Sequence, residues 1–196
     1  MGIVNTSRVP TEAGCGALIT IDQGHREIHE GDSYTALYTI TTAAALGARS
    51  GILIKTPAAP KGVHMLGSFA CSAASDARLC EAPTVTANVG SHGNVIYNRL
   101  RGSANTSGIF DNATVPVVNK FTTLTEAQIA GDGSFALGTV LRTFPVSIGT
   151  GPQQTGGTSR ADSEYILAAN TKYLVLLTTT SGSATTHWLL LDWYEV

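Results

Sequence analysis

Short runs in which apolar and polar residues alternate recur along the whole chain. They are ALITID (17–22), SYTALYTIT (33–41), GILIKT (51–56), TVTANV (84–89), NVIYNRL (94–100), ATVPVV (113–118), FALGTVLRTFPVSI (135–148), KYLVLLTTT (172–180) and HWLLLDWYEV (187–196). A period of two sends successive side chains to opposite faces of an extended strand. The runs are rich in Val, Ile, Thr and aromatic residues, and clusters of Gly, Asn, Asp and Ser separate them. The pattern therefore predicts an all-β chain folded as an antiparallel β-sandwich. Only TLTEAQIAGDG (123–133) reads as helical, with Thr125 as its N-cap and Gly131 as a left-handed stop. TTAAALGARSG (41–51) reads as a strand running into a loop, and GTGPQQTGGTSRADS (149–163) as a long surface loop. Residues 1–16 carry no alternation and read as an extended N-terminal arm ahead of a single sandwich domain, 17–196.

Charged residues are 13% of the 196, against about 25% in ordinary globular proteins. Thr (26) and Gly (21) are plentiful instead, so the predicted surface is covered by hydroxyls and small side chains. An apolar share of 43% separates the chain from disordered sequences. The formal net charge is −2 and no two basic residues are adjacent, which argues against nucleic acid as the main partner. No apolar run approaches the roughly 20 residues of a membrane span, and the first thirteen residues lack a signal-peptide pattern, so the expectation is a soluble chain without a membrane partner. Cys15, Cys71 and Cys80 are an odd number without CxxC spacing and read as free buried thiols.

The densest polar stretch is HREIHEGDSY (25–34). If it is extended, His25, Glu27 and His29 share one side, and two imidazoles with a carboxylate suit Fe(II), Zn or Mn. The competing reading, which we prefer, is a polar corner between strands, because Gly24 and Gly31 flank the stretch. Asp22, Glu27, Glu30 and Asp32 read as solvated turn carboxylates rather than a glycosidase pair. His64, His92 and His187 stand alone, and His187, beside Trp188, reads as a satisfied core or interface group. GxSxG and phosphate-binding loops are absent. No catalytic set and no cofactor follow, and the chain is expected not to be an enzyme.

Two segments point to contacts instead. From Tyr165 onward three strands follow one another through tight turns, which predicts an antiparallel meander. Its last strand, WLLLDWY, is apolar on both faces, so it is central or covered by another subunit, and Trp188, Trp193 and Tyr194 are candidate interface residues. In NRLRGSANTSGIFDN (98–112), Arg99 and Arg101 fall on one strand face, where they can clamp carboxylates of a neighbouring chain or form an ordinary intrachain surface pair.

ITIDQGHREIHEGDSY, NRLRGSANTSGIFDNATV and GTSRADSEYILAANTKYLVLLTTTSGSATTHWLLLDWYEV together resemble a family of small tailed-bacteriophage proteins, encoded among the head genes and regarded as capsid decoration or cement proteins. The likeness runs from about Leu18 to the C-terminus. It implies a jelly-roll-like sandwich on the outer surface of the virion, made in the host cytoplasm, assembled as a homotrimer and bound to the major capsid protein. It also implies that His25, Glu27, His29 and Glu30 serve the fold or the contact surface. The chain departs from the family at TTTSGSATT, where the final turn is all small hydroxyls, Gly and Ala. Two other classes compete: a head or tail fibre module reading host-surface glycans through loops such as 149–163, and a metal-dependent enzyme centred on His25 and His29.

Overall fold

The computed structural model describes residues 23–146 and 164–196. Along the chain the elements are α1 (Gln23–Glu30), β1 (Ser33–Thr41), β2 (Arg49–Lys55), β3 (Val63–Cys71), β4 (Ser75–Glu81), β5 (Ser91–Val95), β6 (Tyr97–Asn98), β7 (Lys120–Thr125), α2 (Glu126–Gly131), β8 (Thr139–Val146), β9 (Tyr165–Leu167), β10 (Lys172–Thr179) and β11 (Thr186–Glu195). Two antiparallel sheets stack as a sandwich, one ordered β6-β1-β11-β3-β9 and the other β5-β7-β2-β10-β4-β8. The sandwich expected from the alternation is what forms. The arm (1–16), the run ALITID and the loop 149–163 lie outside the described residues.

The inward face of β11 presents Leu189, Leu191 and Trp193 to Tyr173, Val175 and Leu177 of β10, and these side chains form the main core, with His187 buried on the same face. A second core lies on the far side of the β10 sheet. There Leu53, Cys80, Leu124, Leu174 and Leu176 are covered by Val85 and by Ile129 of α2. That cover is why KYLVLL is apolar on both faces: β10 is central and buried on each side.

The meander is not what forms. β9 and β11 flank β3 in the first sheet, whereas β10 pairs with β2 and β4 in the second. The links 168–171 and 180–185 therefore carry the chain across the sandwich, because β10, apolar on both faces, gains more between β2 and β4 under the cover of α2 and Val85 than beside β9. β11 is central, paired with β1 and β3. TVTANV and ATVPVV contribute only single bridges, Thr84 with Ala136 and Val118 with Phe110. α2 begins as expected, with Thr125 and Gln128 forming a reciprocal capping box. Its end differs: Gly131 is the last helical residue and Asp132, at φ −86°, is the cap. Asp132 then accepts the Thr86 and Ser134 backbone N–H groups, which redirects the chain without a left-handed glycine.

Candidate interaction surface

The HREIHE stretch is helical, not an extended corner. Gly31, at φ +82°, follows the last helical residue, and its N–H donates to Ile28 O (3.2 Å) while Asp32 N–H donates to Glu27 O (3.0 Å). That pair of bonds is a Schellman stop, for which Glu-Gly-Asp is the readable signal. In a helix, positions 25 and 29 are one turn apart and position 27 falls roughly 200° away from each, so the three positions expected on one strand face do not share a face. Glu27 is buried, while His29 and Glu30 are exposed. Burial, reinforced by Glu30 and Asp32, pushes the Glu27 carboxyl above its ordinary pKa, with Arg26 and His64 opposing. Among the described residues no group of three or more His, Cys, Asp or Glu side chains is placed to hold a metal ion.

The end of α1 is locked to the segment carrying the arginines. Asn98 Nδ2 donates to Gly31 O (2.6 Å), Asn105 Nδ2 to Glu30 O (3.3 Å) and Asp32 Oδ1 (3.2 Å), and Arg99 N–H to Ser33 O (2.9 Å). The segments that carry Glu27/Glu30 and Arg99/Arg101, read separately in the sequence, thus meet at one corner through their backbone and asparagine side chains. The arginines do not share a strand face, because β6 ends at Asn98 and both lie exposed in the turn beyond it. The Arg101 guanidinium lies over the Tyr97 ring at 5.7 Å.

The aromatic residues of β11 separate by the parity of their positions. Trp193 faces inward at 0% exposure, beside Tyr34 with ring centroids 6.0 Å apart, so it belongs to the core and not to an interface. Its indole N–H donates to Glu195 (3.2 Å), whose buried carboxylate also accepts Ser107 Oγ (2.6 Å) and Gly108 N–H. Tyr194 faces outward but is buried, stacked on His64 at 4.7 Å with its hydroxyl donating to Glu164 (3.1 Å). Trp188, half-buried, is the aromatic residue of this strand that the outer face offers.

Ladder register sets the composition of that face. Leu37 stands opposite Leu190, Thr39 opposite Trp188, and Thr35 opposite Asp192, with Ser68, Ala70 and Leu66 completing the rows on β3. Leu37 is 61% exposed. The outward positions of β1, β3 and β11 include no lysine or arginine, and Asp192 is their one carboxylate. Tyr97 pairs with Thr35, so the arginine corner adjoins this face.

His187 is a satisfied core group, as its place beside Trp188 suggested, but the hydroxyls that satisfy it come from strands the sequence could not bring together. Its Nδ1 lies 2.8 Å from Ser50 Oγ, and its Nε2 lies 3.2 Å from Thr179 Oγ1 and 3.4 Å from Ser75 Oγ. A serine beside an imidazole is the start of a nucleophile, but this pair is sealed at 0% exposure for both residues. It satisfies polar groups inside the core, and burial draws the imidazole pKa down to about 4. No family model matches the chain, and no curated protein matches it.

Proposed function

We propose that this chain is a virion structural protein that decorates the outside of a tailed-phage icosahedral shell, bridges major capsid protein subunits and binds rather than catalyses. The observation that carries the reading is the outer face of β1, β11 and β3, where Leu37, Leu190 and Trp188 stand in adjacent rows among hydroxyl-bearing residues without a lysine or arginine. Such a face loses little backbone entropy on contact, because it lies on strands already fixed by the ladder. The resemblance of the sequence to decoration proteins supports the same reading and adds a homotrimer at three-fold positions. A chain that binds the expanded shell better than its precursor stabilises the expanded state by that difference in affinity, and repetition over the lattice multiplies a modest contact.

Quantitative mass spectrometry of purified virions tests the reading through copy number. Copies comparable to the major capsid protein are expected. A handful would move the chain to a fibre, and absence from the particle would overturn the proposal.

A further inference from the structure

Half of the large apolar side chains that stand exposed among the described residues fall between positions 95 and 118: Val95, Tyr97, Leu100, Val115, Val117 and Val118. The fold sets two of these stretches side by side. Val95 pairs with Lys120 and Ile96 N–H donates to Asn119 O (3.3 Å), so the 95–96 edge runs beside 119–120; beyond it Tyr97 pairs with Thr35 of β1 and Val118 bridges Phe110. The 113–118 tip is built rather than loose. Asp111 Oδ1 accepts Ala113 N–H (3.3 Å) and Val117 N–H (3.1 Å), and Asn88 Oδ1 accepts Thr114 N–H (2.8 Å). Exposed valines on a pre-formed loop mark a contact surface, since monomeric surfaces seldom gather apolar groups without use.

The rim of this patch is basic. Arg99 and Arg101 are exposed, Lys120 is half-buried, and none of the three has an ion-pair partner among the described residues. Of the acidic groups nearby, Glu30 is engaged by Arg26 (2.7 Å) and Asp32 by Asn105, while Asp192 stands one strand further along the row Tyr97–Thr35–Asp192. A two-fold contact of this patch with itself would set arginine against arginine, which disfavours a second copy as the occupant. A phosphate backbone would leave the valines uncovered.

We infer that this patch receives a protein segment in which carboxylates are interleaved with apolar side chains. Valines and the Tyr97 ring take the apolar positions, while Arg99 and Arg101 take carboxylates through forked hydrogen bonds. That the segment belongs to the shell protein rests on the function proposed above.

Two binding measurements on the full chain separate the two ideas. The first is fluorescence anisotropy with labelled twelve-residue probes, one alternating Glu with Val and Thr and one alternating Lys with the same residues. The second is co-sedimentation with expanded shells lacking the chain. The glutamate probe should bind, binding should weaken at least tenfold in Arg99→Gln/Arg101→Gln and in Tyr97→Ser, and the lysine probe should not bind. Unaltered melting temperatures show that the variants fold, and two chemically different variants guard against failure of either. Equal binding of both probes, or no loss in the arginine variant, overturns the inference. So does shell binding that the arginine variant keeps in full, which leaves the decoration role standing. A change in self-association on sedimentation equilibrium in the arginine variant also overturns it by making a second copy the occupant. Loss of shell binding by the wild type, with the glutamate probe behaving as expected, sinks the decoration role and keeps the inference.

Discussion

His187 shows how one residue ties the stability of the sandwich to pH. The groups around it are the hydroxyls of Ser50, Ser75 and Thr179 and, as its ladder partner, Cys71, so no charge compensates a proton on the ring. Its pKa falls from 6.5 when unfolded to about 4 when folded. Between those values the unfolded chain binds the extra proton, so the stability that neutral His187 contributes is complete above about pH 6.5 and drains as the pH falls toward 4. The shift is worth about 3 kcal/mol. Urea unfolding at pH 7 and pH 4.5 should show the wild type losing most of that amount, and His187→Gln, which takes up no proton, losing much less. Equal losses would remove His187 as the cause. Asp132 acts in a separate window: hydrogen bonds from Thr86 hold its carboxyl at about 2, so its contribution is lost only below the ordinary carboxylate range.

At the scale of the element, β11 and α1 mark what the sequence conveys and what it withholds. Alternation found β1, β10 and β11 because one or both faces of each are buried in a regular ladder. It could not phase β11, where WLLLDWY is apolar at odd and even positions alike; only the register with β1 and β3 decides that Trp193 points in and Trp188 out. β3, β4 and β7 went unread because Gly67, Arg78 and a run of threonines blur the period. α1 was hidden by its eight-residue length and polar composition, although Gly31 marked its end. The corner where α1 meets the arginines was illegible in principle, since hydrogen bonds join residues some seventy positions apart. The sorting of the tryptophans predicts opposite outcomes. Trp193→Ala should cost about 3–5 kcal/mol of folding stability in urea unfolding. Trp188→Ala should cost far less and weaken shell attachment instead; the reverse ranking would mean that the register is misplaced. At Gly31, an added Cβ meets Ser103 Oγ and a positive φ, so Gly31→Ala should lose about 1–2 kcal/mol and speed amide exchange across 98–105. Unchanged exchange there would show that α1 does not hold the arginine segment.

For the whole molecule in the proposed decoration role, the relevant quantity is the difference in affinity between shell states, because a ligand that binds both equally shifts neither. A sandwich with two cores, one between its sheets and one beneath α2 and Val85, presents its outer face as a fixed surface that a flat lattice can meet without reordering the chain. Titrating expanded shells with the chain should raise their disruption temperature until the sites fill, with about 2.7 kcal/mol gained per site at a hundred times the dissociation constant. Unexpanded shells should gain little over the same range. Trp188→Ala should move the midpoint to higher concentration, because it weakens each contact while the number of sites is set by the lattice. An apolar face also makes this attachment tolerant of salt, so raising the ionic strength should subtract only the share carried by Arg99 and Arg101. If expanded and unexpanded shells were stabilised alike, the chain would be a passenger on the lattice, since attachment without discrimination exerts no force toward the expanded state.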